Sequence, residues 1–183
     1  MLLERLLATP GARIVTMSST AHKFGRMQFA DLQFSRGYRA WAAYGQSKLA
    51  NLLFTYELQR RLARAGQATL VVAAHPGWAS TDIIGNGMGA GAPGFKARLI
   101  ATVFGMVAQS ARDGALPSLY AAMAPEAQGG FYYGPTGWNE TRGAVGVSRI
   151  FPQAADPEAG TKLWTLTEKL TGVTFGSVAD SGL

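Results

Sequence analysis

Tyr44-Gly45-Gln46-Ser47-Lys48 opens a long stretch of helical periodicity and places a phenol and an ammonium four residues apart. At i and i+4 two side chains share one face of a helix, so the cation can lie beneath the hydroxyl. A free tyrosine ionises near pH ~10 and is a poor acid–base catalyst at neutral pH. A neighbouring positive charge favours the phenolate. The pair therefore suits proton transfer to or from an alcohol or carbonyl oxygen. By itself it is equally compatible with an exposed helix that happens to carry both residues.

The flanking segments decide between those readings. Upstream, Ala12-Arg13-Ile14-Val15-Thr16-Met17-Ser18-Ser19 is a β-branched run after Pro10-Gly11, a buried strand that delivers two serines at its carboxyl end. Downstream, Ala68-Thr69-Leu70-Val71-Val72-Ala73-Ala74-His75 predicts a second buried strand, ending in Pro76-Gly77-Trp78. Ligands of open α/β sheets bind beyond the carboxyl ends of the strands. Serine, tyrosine, lysine and a Pro-Gly loop thus arrive in the order strand, helix, strand.

On these residues the chain resembles the C-terminal part of a short-chain dehydrogenase/reductase. The Arg13–His22 segment, the spacer before Tyr44 and Ser47-Lys48-Leu49-Ala50-Asn51 are most similar to the retinol dehydrogenase and protochlorophyllide reductase branch. The resemblance covers residues 1 to about 135 in its shared elements. It implies an NAD(P)-dependent oxidoreductase that interconverts an alcohol and a carbonyl on a small hydrophobic substrate. Ser19 matches the serine that hydrogen-bonds the substrate oxygen, and Tyr44 the general acid/base. Lys48 matches the residue that lowers the tyrosine pKa and holds the nicotinamide ribose. His75, Pro76, Gly77 and Thr81 match the loop that contacts the nicotinamide ring. The cofactor is NADP or NAD, and the branch leans toward NADP. The family also implies a homodimer through the helix that starts near Tyr44, whose Leu49, Leu52, Leu53, Leu58 and Leu62 look like more apolar surface than one sheet contact uses.

The expected fold is α/β, a Rossmann-like parallel sheet flanked by helices, with residues 1–183 forming a single partial domain. Such enzymes begin with a strand and a glycine-rich turn that cradle the cofactor pyrophosphate, about a hundred residues before the serine. Here Leu2-Leu3-Glu4-Arg5-Leu6-Leu7 reads as the end of a helix, so the cofactor-binding half is expected to be missing. A sheet of about three strands would follow, with an exposed edge. Gly85-Asn86-Gly87-Met88-Gly89-Ala90 fits the dinucleotide fingerprint by letter, but it lacks the strand-to-helix context the motif requires. It reads instead as a loop over the substrate pocket. An alternative function is a truncated or non-catalytic binding protein that keeps the fold without turnover.

Composition excludes several classes. Zero cysteines among 183 residues rule out disulfides and thiolate metal sites and suit a reducing, cytoplasmic setting. No secretory signal is expected at the N-terminus, and Leu99–Val107 is too short to span a bilayer, which takes ~20 residues. The net charge of +6 is not accompanied by a nucleic-acid-binding motif. Arg60, Arg61 and Arg64 read as solvated cations at a helix C-terminus. His22 follows the serines, but no G-x-S-x-G elbow accompanies it. Remaining elements are predicted at 97–109 and 111–124 (helical), at Phe131-Tyr132-Tyr133 (strand) and at 157–171 (amphipathic helix).

Overall fold

A computed structural model describes residues 2–78 and 109–176. Thr81, the Gly85–Ala90 motif and the helix expected at 97–109 lie outside the described residues, apart from Gln109. The elements are α1 (Leu2–Leu7), β1 (Arg13–Met17), a 3-10 turn (Thr20–Phe24), α2 (Ala40–Arg64) and β2 (Leu70–Ala74). They continue with α3 (Ala111–Met123), β3 (Tyr132–Pro135), β4 (Val145–Val147) and α4 (Pro157–Thr171).

The strands run in the spatial order β1-β2-β3-β4. β1 and β2 are parallel, with Val15 opposite Val72, and β2 and β3 are parallel, with Ala73 opposite Tyr132. β4 returns antiparallel to β3, Gly146 facing Gly134. Among the described residues the expected three or so strands are therefore four. Val145-Gly146-Val147 is too short and too glycine-rich for its own alternation to announce it, and pairing with β3 creates it.

β2 is covered on both faces, which explains its unbroken apolar run. Val71 and Ala73 face α2 and α4, while Val72 and Ala74 face α3. The same alternation sends Tyr132 toward α2 and Tyr133 toward α3. α2 contributes Leu49, Leu52, Leu53, Leu58 and Leu62, all buried within this chain. The apolar surplus expected for a dimer face is thus consumed by the chain's own core, because α4 packs against α2 as well as the sheet does. Asp156 caps α4 by accepting from the Glu158 and Ala159 N–H groups, and Gly172 ends it in the left-handed region at φ 67°.

β1 lies at one end of the strand order. Its even-numbered backbone groups pair with β2, as the Ser18 N–H to Ala74 carbonyl bond at 2.8 Å shows. Its odd-numbered groups point outward, and Asn51 on α2 covers one of them by donating to the Met17 carbonyl at 2.7 Å. Gln46, also on α2 and buried, accepts from the Gln28 N–H and donates to the Leu32 carbonyl. That single side chain pins the irregular segment between the 3-10 turn and α2.

Arg61 departs from its expected solvated role. It is buried, donates to Glu57 at 2.6 Å, and lies 4.6 Å from the Trp164 ring centre. Arg60 pairs with the same buried carboxylate.

Candidate active site

The carboxyl end of β1, the first turns of α2 and the carboxyl end of β2 converge on one side of the molecule. Ser18 and Ser19 separate there, because neighbouring residues at a strand end point in opposite directions. Ser18 is buried and donates to the Lys48 carbonyl at 2.8 Å, tying the strand to the helix. Ser19 is half-buried and caps the 3-10 turn by accepting from the Ala21 N–H. Among the described residues its hydroxyl donates to no protein group. Of the two serines, Ser19 has the free donor.

Tyr44 and Lys48 share a helix face as their spacing predicts. The Lys48 ammonium lies 5.6 Å from the Tyr44 ring centre. Burial lowers the Lys48 pKa, since a half-buried ammonium loses hydration. Lys48 pairs with no carboxylate among the described residues.

Close contact between the 3-10 turn and α2 depends on two glycines. A Cβ on Gly25 would run into the Gly45 carbonyl group, and a Cβ on Gly45 would lie 3.0 Å from the Phe24 ring. The contact lays Phe24 against Trp41 (ring centres 6.4 Å apart), and Trp41 in turn against Tyr44 (6.4 Å). Both Phe24 and Trp41 remain largely exposed. Sequence reading passed over these aromatics, although Trp41 stands one helical turn before Tyr44.

The loop after β2 is fixed from below. His75 is fully buried, its Nε2 2.8 Å from Ser148 Oγ and its Nδ1 accepting from the Gly77 N–H at 3.1 Å. Burial pulls its pKa down to about 4, keeping the ring neutral. The imidazole points into the core, so this loop shows the partly exposed Pro76 and Gly77 and the exposed Trp78 at its surface. Gly77 adopts φ 64°, and a Cβ there would collide with the Thr141 carbonyl oxygen and with Pro135. Ser19, Tyr44, Lys48, Pro76 and Gly77 thus stand on three adjacent elements at one sheet edge, and His75 stands behind them.

No protein-family model matches the chain. It is 36% identical to human retinol dehydrogenase 13 over 186 aligned residues, an alignment covering all of this chain and 53% of that protein. It is 33% identical to human retinol dehydrogenase 12, covering 94% and 50% respectively. A crystal structure of an uncharacterized protein from Mycobacterium paratuberculosis superposes with a TM-score of 0.67 at 36% identity, over 89% of this chain and 51% of that one. Over its whole length the chain is similar to the C-terminal part of retinol dehydrogenases, which are short-chain dehydrogenase/reductase proteins. It spans about half the length of the curated relatives it matches.

In that family's terms, the residues present suit one end of a nicotinamide dinucleotide. Lys48, half-buried beside a phenol and without a carboxylate partner among the described residues, is the group that could hold the hydroxyls of a nicotinamide ribose. No described turn between a strand and a helix carries the glycine-rich pattern that would hold the pyrophosphate. Among the described residues there is no cluster of three His, Asp or Glu side chains suited to a metal ion, and no helix is long and apolar enough to cross a membrane.

Proposed function

We propose that this chain carries the catalytic residues of an NAD(P)-dependent oxidoreductase that interconverts a hydrophobic alcohol and its carbonyl compound. The observation that carries this reading is Lys48 beneath Tyr44 on the first turns of α2. The Ser18 bond to the Lys48 carbonyl supports it by bringing the turn that bears Ser19 against that helix.

A bound nicotinamide cofactor would supply or accept the hydride. Ser19 donates its free hydroxyl hydrogen to the substrate oxygen and orients it. Tyr44 gives its phenolic proton to that oxygen during reduction and takes it back during oxidation. Lys48 holds positive charge beside the phenol and bonds the ribose hydroxyls of the cofactor. Pro76 and Gly77 present backbone to the nicotinamide, and Thr81 is assigned to its carboxamide by resemblance alone. NADP is favoured over NAD on the same ground. The relatives' names point to retinoids as the first substrates to try, and the exposed Phe24 and Trp41 give an apolar substrate a surface beside Tyr44. A cytoplasmic location belongs to this reading, supported by the absence of cysteine. A homodimer also belongs to it, supported by resemblance and requiring residues other than the α2 leucines.

The test is cofactor oxidation with hydrophobic aldehydes by the wild-type chain and by Tyr44→Phe. Removing the general acid is expected to lower kcat by about 10²–10⁴-fold with the circular dichroism spectrum unchanged. Near-wild-type turnover in the variant would refute the role of Tyr44. No turnover by the wild-type chain would refute catalysis by these residues alone.

A further inference from the structure

Two buried histidines sit at the carboxyl ends of adjacent strands, and each holds the loop that follows its strand. The Ser19 carbonyl, 2.7 Å from His22 Nδ1, can only accept, so Nδ1 carries the hydrogen. His22 Nε2 is then a bare acceptor, buried and without a donor. At His75 the arrangement is reversed. The Gly77 N–H donates to Nδ1, so Nε2 carries the hydrogen and donates to Ser148. Both imidazoles pack on the ring of Tyr132 between them, with ring centres 5.4 Å and 4.9 Å away. The sequence makes room for this, because a Cβ on Gly134 would occupy the space of His75 Nε2 and Ser148 Oγ.

A second connection joins the same two loops nearer the surface. Lys23, in the turn after Ser19, donates to Glu140 at 2.9 Å. Glu140 also accepts from the Arg149 N–H at 2.7 Å, and the next residue, Thr141, receives the Trp78 N–H through its carbonyl at 2.8 Å. Asn139 and Glu140 are both left-handed, at φ 47° and 57°. Asparagine tolerates that conformation, whereas a glutamate holds it only where its surroundings impose it.

We propose that His22, Tyr132 and His75, together with the Lys23–Glu140 pair, form a brace that fixes the Ser19 turn and the Pro76–Gly77 loop relative to each other. They are positioning residues: they touch neither substrate nor cofactor but set the spacing of the groups that do. The functional meaning of the brace rests on the proposed oxidoreductase reading, while its existence does not. Burial lowers the pKa of both histidines, consistent with neutral rings that keep opposite tautomers.

The experiment uses the 183-residue chain, labelled for imidazole nitrogen correlations and for amide exchange. His22 is expected to be Nδ1-protonated and His75 Nε2-protonated at neutral pH. His22→Phe keeps a ring beside Tyr132 but deletes the donor to Ser19. It is expected to speed exchange of the Gly77 and Trp78 amides, on the other loop, by at least about tenfold, leaving Val71–Ala74 protected. His22→Asn, which restores a donor, is expected to recover most of that protection. If His22→Phe fails to fold, Glu140→Gln tests the outer connection by the same readout, with faster exchange at Trp78 expected. Identical tautomers, or unchanged exchange at Gly77 and Trp78 in the folded variant, would overturn the brace. No measurement here requires turnover, so the result is separate from that of Tyr44→Phe.

Discussion

Replacing Gly25 by alanine adds one methyl group where the end of the 3-10 turn rests on α2. The added Cβ would lie 2.7 Å from the Gly45 carbonyl carbon and 3.1 Å from Leu49 Cβ, and nearer still to the Gly45 oxygen. Gly25 has φ −64° and ψ 145°, which alanine adopts freely, so the backbone itself resists nothing. The substitution even narrows the unfolded ensemble, worth about 0.4–1 kcal/mol in favour of folding. Against that stands overpacking, about 1–3 kcal/mol. The upper end applies, because the obstructing atoms belong to helical backbone and have no rotamer to escape into. The net loss is about 2–2.6 kcal/mol, or roughly 4–10 °C in Tm for a chain of this size. The turn that carries Ser19 should also be lifted from the helix that carries Tyr44, so activity should fall by more than the loss of folded protein. Urea and thermal unfolding followed by tryptophan fluorescence measure the first effect. Gly176→Ala, which meets open space, serves as the control. A Gly25→Ala chain as stable as the wild type would refute the claim that these glycines set the approach of turn and helix.

Glu57→Ala is expected to cost about 3–5 kcal/mol by denaturant unfolding, since it leaves the Arg61 guanidinium buried without its carboxylate; a loss below 1 kcal/mol would show that solvent reaches Arg61. Acidification should destabilise the fold before carboxylates dominate. His75 titrates near 4 when folded and near 6.5 when unfolded, so its contribution is complete above pH ~6.5 and is lost as pH falls toward 4, up to roughly 3 kcal/mol. His22 shifts in the same direction and adds to the slope, with Lys23 and Glu140 as the charges facing the two rings. Stability that stays flat between pH 6.5 and 4.5 would contradict the burial of both imidazoles.

Most elements are legible from local pattern. The apolar runs at Arg13–Met17 and Leu70–Ala74 are strands because a strand covered on both faces needs no polar alternation. Asp156-Pro157 and Gly172 mark the ends of α4 through chemistry confined to a few residues. Tyr44 and Lys48 share a face because the helical repeat puts i and i+4 together whatever else the chain does.

What the tertiary structure decided depends on residues far apart in the chain. β4 exists because β3 offers a partner to three residues that carry no strand signal of their own. The leucines of α2 look like a surplus until α4, a hundred residues later, covers them. Ser18 and Ser19 are chemically identical neighbours, and only the approach of Lys48 makes one a tie and leaves the other with a free hydrogen. Glu140 sits in a glycine-rich stretch with no motif around it. Its meeting with Lys23, 117 positions earlier, is set by the sheet and not by spacing. Periodicity along the chain fixes which face a residue takes. Which groups meet across faces is fixed by long-range packing, and a linear pattern carries no record of that.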